Sequence, residues 1–489
     1  MSPRDAIVVK NTRVPGAGHA VDVLITGGRI ERMSPAGTIR GEAGRTLDAD
    51  GRWMLPGMWD HHVHFTQWVI RRQRVDLTTT SSAAEVLSVV QRSLRTDSRR
   101  LVGFGFRDGL WPDQPSLAAL DAVSGDIPVA LIAADLHCMW LNTAAQRLAG
   151  VQTDPSGVLR EAASFAVMDR FGSVEDLTLA DYVQTERAAA ARGVVGVVDF
   201  ENAENLTQWP QRWRGGVDLL RVRAAIWPQF LTEAISAGRR TGDVLTGGVT
   251  VGPLKVISDG SLNTRTAWCD EPYAGLDPAD PQACGGPTVP PQQVRALMER
   301  ATVAGIEVAI HAIGDRANAE VLDAFAATSA GGSVEHAQLL RREDAPRFAQ
   351  LGVTASVQPE HAMDDRDVAE AYWPGRTHRA FPLARLRDAA VTLRFGSDAP
   401  VSPLDPWIQI AAAVIRSRDG RESWHPEQRL DRHTALAAST GGRTTLQEGD
   451  EADLILIEAD PLSCPEDQLR SMPVALTLLA GRITHSTLV

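Results

Sequence analysis

The sequence has 489 residues, 44% of them hydrophobic, which leaves room for one large domain and a smaller one. Its formal charge is −12, and it contains no basic stripe that would attract phosphate backbones or anionic membrane surfaces. We therefore expect a globular enzyme or binding protein that contacts neither nucleic acid nor a membrane.

The amino terminus and the cysteines predict a cytoplasmic protein. Residues 1–11 lack a basic region followed by a long apolar core, and no apolar run approaches the roughly 20 residues that a spanning helix needs. The cysteines lie far apart without a CxxC pair, which favours reduced thiols: Cys138, Cys269, Cys284 and Cys464.

Strand-like runs at both ends of the chain predict one small β domain. Near the start are AIVVKNTRV, VDVLITGGRIERM and RTLDADGRWMLPG, and near the end are ADLILIEA and VALTLLAGRITH. Neither cluster is large enough to bury a core alone. We therefore predict a composite β-sandwich built from residues 1–55 and 442–489.

Between these ends, short apolar runs alternate with helical stretches, which indicates a parallel sheet covered by helices. Eight such runs occur: MLPGMWDHHVHF, VVGVVDF, LLRVRAAIW, LKVISDG, VAIHAIGD, SVEHAQ, VTASVQPEH and LRFGSDAP. Eight strands close a (β/α)8 barrel. We predict an α/β fold with this TIM barrel over residues 56–441 and an insertion at about 66–178, after the first strand.

Polar side chains at the ends of these runs are candidates for an active site, because such sites lie at the carboxyl ends of barrel strands. His62 and His64 share a face of the first run, whereas His61 points away. Four more candidates end later runs: Lys255, His311, His336 and Asp398. Each alone has a structural explanation, such as a hydrogen-bonded histidine or a turn aspartate. Together, imidazoles and a carboxylate predict a site for zinc or a similar ion.

Lys255 needs a separate explanation. Lys10 and Lys255 are the only lysines among 49 basic residues. A buried ammonium is costly unless it is paired or neutralised. An uncharged amine can add carbon dioxide, and the resulting carbamate can bridge two cations, which arginine cannot do because it stays protonated. We therefore hypothesise that Lys255 is N6-carboxylated.

The segments LPGMWDHHVHF, LKVISDGSLNTRTAWCDEPY, VAIHAIGDRANAEVLDAF, SVEHAQ, RFGSDAPVSPLDPW and EGDEADLILIEADPL resemble amidohydrolase family 3 of the metal-dependent amidohydrolases, in particular its N-substituted formamide deformylase-like or YtcJ-like group. The resemblance implies the barrel, the split β domain and a hydrolytic centre with two divalent ions, for which we expect zinc. It also implies His62 and His64 on the more buried ion, His311 and His336 on the other, and Lys255 as the bridge.

The implied reaction is hydrolysis of a carbon–nitrogen amide-type bond, in an N-substituted formamide, an N-acyl amine or a related amide. Two divalent ions lower the pKa of a shared water from about 15.7 to roughly 7, which makes hydroxide available. Asp398, touching metal and water, would take the proton of that water and pass it to the leaving nitrogen.

Other residues are candidates for substrate contacts, each with a structural alternative. His137 in ADLHCMW is a candidate catalytic donor to the substrate carbonyl. Arg265, Trp111 and Trp268 are candidates for substrate binding, although tryptophans such as these and Trp140 usually pack in a core. A structural role is expected for three others: Asp259, and Asp315 with Arg316 as an ion pair or helix start.

Two other functions remain open at this stage. A mononuclear deaminase of a ring amidine would use the same histidines and aspartate with one ion and an unmodified Lys255. A non-catalytic binding barrel would have lost some of the metal-ligating side chains. The sequence leaves open whether the scissile bond is an amide, a lactam or an ester, and a homodimer is the default expectation for the assembly.

Overall fold

The computed structural model describes residues 6–16, 18–39, 44–95, 99–108, 111–133, 138–160, 162–168, 170–171 and 177–488. The chain forms two compact units, Met1–Phe65 with Glu186–Val489, and Thr66–Thr185. None of the helices in the described ranges has the length and apolar character that crossing a bilayer requires.

The first elements of the described chain are β-strands. These are β1 (Ile7–Thr12), β2 (Val21–Thr26), β3 (Arg29–Pro35), β4 (Arg45–Asp48), β5 (Trp53–Pro56) and β6 (Met58–Val63). The first four form a sheet in the order β3-β2-β1-β4, in which β1 and β4 are parallel.

The unit Thr66–Thr185 has its own sheet and core. Its elements, with the helices that enter and leave it, are α1 (Phe65–Gln73), β7 (Val75–Asp76), α2 (Ala83–Ser93), β8 (Leu101–Phe106), α3 (Leu117–Ser124), β9 (Val129–Ala133), β10 (Cys138–Leu141), α4 (Thr143–Ala149), β11 (Val158–Arg160), α5 (Ala162–Met168) and α6 (Leu179–Ala190). The strand order is β11-β10-β9-β8-β7. Trp111 and Trp140 are buried in its hydrophobic core.

After α6, strands alternate with helices. The elements are β12 (Val194–Asp199), α7 (Asn205–Arg214), β13 (Arg221–Ile226), α8 (Leu231–Ser236), β14 (Val244–Thr246), β15 (Val249–Ile257), α9 (Pro291–Val303), β16 (Val308–Ala312), α10 (Asp315–Thr328), β17 (Gly332–His336), α11 (Asp344–Leu351), β18 (Thr354–Val357), α12 (His361–Tyr372), α13 (Leu383–Asp388), β19 (Leu393–Phe395), α14 (Pro406–Ile415) and α15 (Arg432–Ser439).

Eight parallel strands within the described residues form the barrel, in the order β6-β12-β13-β15-β16-β17-β18-β19. The barrel closes where the Asp398 amide donates to the His62 carbonyl at 2.7 Å and the His64 amide donates to the Ala399 carbonyl at 2.9 Å. These strands are the eight apolar runs of the sequence, so the predicted TIM barrel is confirmed. The runs are apolar because helices cover the outside of the sheet while side chains fill its interior.

The chain ends with β20 (Leu454–Ile457), α16 (Glu466–Arg470), β21 (Val474–Leu479) and β22 (Arg482–Ser486). These strands form a sheet with β5 in the order β22-β21-β20-β5. Val9 and Val23 from the first sheet share a fully buried core with Leu456 and Leu476 from the second. The small β domain made from both termini is therefore confirmed. Its boundaries, 1–55 and 442–489 against 56–441, stay a prediction because barrel and β domain belong to one compact unit.

Candidate metal centre

A cavity of about 410 Å³ lies at the carboxyl ends of the barrel strands. It is lined by the six predicted ligands, His62, His64, Lys255, His311, His336 and Asp398, and by Ile257, Ser261, Leu262, Asn263, Ile313, Gln338, His361, Asp364, Asp365 and Val401. The structure thus brings together all six side chains that the sequence singled out.

The first group of possible ligands joins the first and last barrel strands. Potential ligand atoms of His62, His64 and Asp398 all lie within 4.8 Å of one another. Asp398 Oδ1 is 3.5 Å from His62 Nε2 and 3.4 Å from His64 Nε2. A Cβ at Gly396 would lie 2.5 Å from the Cβ of His62, so only glycine lets the chain after β19 come this close to β6.

The second group contains a residue that the sequence analysis missed. Potential ligand atoms of His336, His361 and Asp398 also lie within 4.8 Å of one another. His361 begins α12 and is the last residue of the seventh apolar run, VTASVQPEH. The rule that selected the other candidates, a polar residue at the end of an apolar run, would have found it.

Two of these residues have an uncommon backbone conformation. The φ angles of His336 and Asp398 are 73° and 55°, in the left-handed region that costs a non-glycine residue about 1 kcal/mol or more. The hydrogen bond from the Asp398 amide to the His62 carbonyl holds the second of these conformations. The surrounding structure therefore fixes the direction of the Asp398 carboxylate.

His311 lies next to these groups but outside both. Its ring centroid is 4.6 Å from that of His336. Its Nε2 is 3.3 Å from the Gly260 carbonyl oxygen and 3.4 Å from Asp259 Oδ1. A role of His311 as a metal ligand therefore stays a prediction.

Hydrogen bonds orient two of the histidines towards the cavity. Nδ1 of His62 donates to Glu335 Oε2 at 2.6 Å, and Nδ1 of His336 donates to Gln358 Oε1 at 2.8 Å. The opposite nitrogen, Nε2, is then the unprotonated one in each ring and available to a cation. Glu335 is itself fixed, because Ser333 Oγ donates to its Oε1 at 2.5 Å.

Lys255 is buried beside His62. Its Nζ is 3.4 Å from His62 Nε2 and 4.4 Å from the centroid of the Phe200 ring. Burial lowers the pKa of Lys255 below 10.5, although Glu335 and Asp398 oppose this shift. No carboxylate of the described residues forms an ion pair with it within 4.0 Å. These surroundings favour an uncharged amine.

The charge states in the cavity suit a divalent cation. Burial above all lowers the pKa of His62 well below 6.5, and burial does the same for His336. Burial raises the pKa of Asp398, but the effects of His62 and His64 outweigh it and hold that pKa well below 3.8. His361 Nε2 is buried without a hydrogen-bond partner among the described residues. Neutral imidazoles next to an ionised carboxylate fit a cation such as zinc.

The cavity wall also contains two acidic residues that the sequence analysis did not consider. Asp365 accepts hydrogen bonds from Asn263 Nδ2 at 3.0 Å and Gln338 Nε2 at 3.2 Å. Burial raises the pKa of Asp365. Asp364 is paired with Arg418 at 2.7 Å.

The expected substrate contacts have mixed outcomes. His137 lies outside the described residues. Trp111 is in the core of the unit Thr66–Thr185, where it packs 5.5 Å from Phe106, as its structural alternative predicts. The guanidinium of Arg265 lies 5.1 Å from the Tyr372 ring, and Arg316 lies 4.8 Å from the Trp268 ring. A role of Arg265 or Trp268 in substrate binding stays a prediction.

Asp259 and Asp315 have the structural surroundings that we expected. Asp259 accepts the backbone N–H groups of Trp268, Ile313 and Gly314. Asp315 begins α10, but its ion pair is with Arg379 at 3.2 Å and not with Arg316, which stacks on Trp268. Of the two expected roles, the start of a helix is therefore the one that the structure shows, whereas the two side chains do not form an ion pair with each other.

Comparisons with known proteins agree with this site. The sequence profile of the amidohydrolase family matches residues 45–485. The chain is 27% identical to Protein LONG AFTER FAR-RED 3 of Arabidopsis thaliana, over 86% of this chain and 79% of that one. It is 25% identical to the N-substituted formamide deformylase of Arthrobacter pascens, over 99% of this chain and 98% of that one. A solved structure, an uncharacterized metal-dependent hydrolase from Pyrococcus horikoshii OT3, aligns with a TM-score of 0.77 and 25% identity, over 94% of this chain and 99% of that one.

Proposed function

The chain belongs to the amidohydrolase family, and from this premise we propose that it hydrolyses the carbon–nitrogen bond of an N-substituted formamide, an N-acyl amine or a related amide. The family makes the protein a metal-dependent hydrolase that acts on carbon–nitrogen bonds of small molecules. The narrower substrate class is supported by the similarity to a formamide deformylase along almost the whole chain.

The observation that carries the proposal is the convergence of two groups of ligands on one carboxylate. His62 and His64 form one group with Asp398, and His336 and His361 form the other. We propose two zinc ions per chain, one for each group, with His311 completing the second. Lys255, buried between Glu335, Phe200 and His62, would be N6-carboxylated and bridge the two ions.

Carboxylation of Lys255 uses only its free amine and carbon dioxide. The nitrogen lone pair attacks the carbon, a nitrogen–carbon bond forms, and one proton leaves for solvent. The product is an anionic carbamate. The lowered pKa of Lys255 supports this step, because only the deprotonated amine is nucleophilic.

Divalent cations in this cavity would supply Lewis acidity, which lowers the pKa of water to about 7 and polarises a carbonyl oxygen. Asp398, held ionised and fixed in direction by its backbone, accepts the proton of the attacking water and donates it to the leaving nitrogen. Glu335 and Gln358 keep His62 and His336 in the tautomer that faces the cavity.

The test is metal analysis and intact mass of the purified protein, combined with a panel of N-formyl amines, N-acyl amines and ring amidines. We expect about two zinc ions per chain, a mass increment for carbon dioxide on Lys255, and turnover of the formyl or acyl amines. One ion per chain, an unmodified Lys255 and deamination of a ring amidine would instead establish the mononuclear deaminase.

Three further predictions of the sequence complete the proposal. We propose a cytoplasmic protein that assembles as a homodimer and binds neither nucleic acid nor membranes. The acidic net charge of −12 supports the last of these, since it offers no attraction to polyanions.

A further inference from the structure

Two cavities lie at the opposite end of the barrel from the metal centre. Their volumes are about 430 Å³ and 340 Å³, and His61, Arg223 and Arg394 line both. The smaller cavity also contacts the first residues of β16, β17 and β18, which places it at the amino ends of the strands. We call the two together the basal pocket. None of the proposed metal ligands lines it.

Trp59 forms part of the wall of the basal pocket and supports Arg223. A Cβ at Gly196 would lie 2.6 Å from the Trp59 ring, so the glycine in β12 provides the space for this indole. The guanidinium of Arg223 lies 5.2 Å from the Trp59 ring centroid. Stacking of this kind positions an arginine while leaving its N–H groups free to bind an anion.

The larger cavity carries an excess of positive charge. Arg29, Arg221, Arg223, Arg394 and Arg443 line it, against Asp450, Glu451 and Asp453, so it has two more arginines than carboxylates. Two of these arginines are paired with two of the carboxylates: Arg221 lies 2.6 Å from Asp453 and 2.8 Å from Glu451, and Arg29 lies 4.0 Å from Glu451. Asp450 accepts a backbone N–H from Gln447.

Arg223, Arg394 and Arg443 have no carboxylate within 4.0 Å in the part of the chain that the structure describes. Arg394 donates to the carbonyl oxygens of Leu393 and Gly441, and its pKa is lowered by burial and by the charge of Arg223. Two guanidinium groups that repel each other without a counter-ion are an unfavourable arrangement, which an anion between them would relieve.

His61 adds a neutral hydrogen-bonding group to the basal pocket. Its Nε2 is buried and has no hydrogen-bond partner among the described residues. The acidic groups of the smaller cavity are Glu335, which is already hydrogen-bonded to His62 and Ser333, and the exposed Glu307. An anion is therefore favoured on the side of Arg443, away from Glu307.

We propose that the basal pocket binds a small doubly charged oxyanion, a phosphate group, between Arg223 and Arg394. Arg443 adds a third cationic side chain, and His61 Nε2 makes a hydrogen bond to the anion. Phosphate fits because its charge matches the excess of two arginines and its oxygens accept paired N–H groups from guanidinium. The phosphate group belongs either to inorganic phosphate or to a phosphomonoester.

The test is isothermal titration of the metal-loaded, full-length protein with inorganic phosphate and, separately, with glycerol 3-phosphate, at constant ionic strength. We expect saturable binding of at least one of them, and the tighter ligand identifies the source of the phosphate group. Arg223→Gln and Arg443→Gln should each weaken binding at least about tenfold, as expected for a lost charge-assisted hydrogen bond. Arg295→Gln is the matched control, since Arg295 is exposed on α9 and paired with Glu299.

Phosphate can also bind at the metal centre, and His64→Asn separates the two sites. Binding that survives Arg223→Gln and Arg443→Gln but disappears in His64→Asn would overturn the proposal. The absence of saturable binding would also overturn it, as would complete displacement of phosphate by an equal concentration of sodium chloride. Circular dichroism of each variant establishes that it is folded. Arg443 is half-buried at the edge of the pocket, so its variant decides the test if Arg223→Gln does not fold.

Discussion

Asp398 belongs to both groups of side chains that lie within metal-binding distance of one another. Its carboxylate faces His62 and His64 on one side and His361, at 3.9 Å, on the other. Its low pKa keeps it ionised at neutral pH, so it can accept a proton. In the proposed mechanism the same residue therefore combines binding of the cation with proton transfer.

We expect Asp398→Asn to keep the fold and lower kcat by about 10²–10⁴-fold, the usual contribution of a positioned general base. The amide cannot accept the proton of the attacking water, although its oxygen can still face the cation. Steady-state kinetics, circular dichroism and metal analysis of the variant measure the three quantities. Activity equal to that of the wild type would exclude Asp398 as the base.

Glu335 orients His62 and should affect metal affinity more than folding. Glu335→Gln replaces the carboxylate that accepts the Nδ1 proton of His62, so we expect metal affinity to fall about 10–100-fold. Competition with a chromogenic chelator measures this affinity. Glu299→Gln, at an exposed position on α9, is the control and should leave it unchanged. An unchanged affinity in Glu335→Gln would mean that the hydrogen bond does not support the ligand.

The sequence could identify side chains that end apolar runs but not their distant partners. His62, His64 and Asp398 follow such runs, and the rule that selects them needs only local information. Glu335 is 273 residues from His62, and nothing in its own segment shows that it will accept a proton from that ring. His361 is the last residue of the seventh run, so the same local rule would have selected it.

At the scale of elements, the approach of β19 to β6 determines the metal centre. Gly396 follows β19, and an added Cβ would meet the Cβ, N and Cα of His62 at 2.5, 2.6 and 3.0 Å. These are backbone atoms and a Cβ, which cannot move aside as a flexible side chain would. The spacing between these two strands therefore depends on the absence of a side chain.

We expect Gly396→Ala to destabilise the protein by about 2 kcal/mol or more, as overpacking in a rigid core does. The melting temperature and the zinc content should both decrease, because the clash pushes His62 away from Asp398. Gly286→Ala is the matched control, because nothing lies within 4 Å of its added Cβ. Equal melting temperatures for the two variants would contradict the steric explanation.

Glu186, in α6, makes the stability of the folded protein depend on pH. Its Oε2 accepts the Leu219 N–H at 3.0 Å, whereas its Oε1 is buried without a partner among the described residues. Burial raises the pKa of Glu186 to about 8. The folded state then binds a proton that the unfolded state releases near pH 4.5, so this group lowers the free energy of unfolding as the pH rises from about 4.5 to 8.

Glu186→Gln removes this ionisation and keeps an acceptor for Leu219. We expect the variant to be more stable than the wild type at pH 8 by about 1–3 kcal/mol, and the difference to shrink towards pH 5. Denaturant unfolding at a series of pH values gives the comparison. A difference that does not vary with pH would show that Glu186 does not titrate in this range.

At the scale of the whole molecule, the proposed cation sites draw their ligands from parts of the chain that are far apart. The ligand groups come from β6, β17, the start of α12 and the segment after β19. A ligand that binds only the folded state stabilises it, by about 4 kcal/mol when its concentration is 1,000 times the Kd.

Removal of metal with a chelator should therefore lower the melting temperature. We expect a decrease of a few degrees for the wild type and a smaller one for His64→Asn, which has lost a ligand of one of the two groups. Differential scanning calorimetry with and without chelator tests this, and restoration of the transition by added zinc shows that the change is reversible. Equal decreases in both proteins would place the stabilising cation elsewhere.

The barrel and the β domain were predictable because their signals are local. Each apolar run, such as VAIHAIGD, shows by its own composition that it is covered on both faces. The boundary between barrel and β domain was not, since β5 and β6 are separated by a single residue and pair in different sheets. The basal pocket was also not predictable, because Arg223 and Arg394 come together only when the barrel has closed.

The seam of the barrel is formed by the hydrogen bonds between His62, His64 and the segment Asp398–Ala399. During synthesis on a ribosome, His62 is translated early, whereas Asp398 is translated only after most of the chain. A nascent chain therefore cannot assemble either ligand group around Asp398 until the last barrel strand has been translated. Metal uptake by this protein would mark the end of folding and not its beginning.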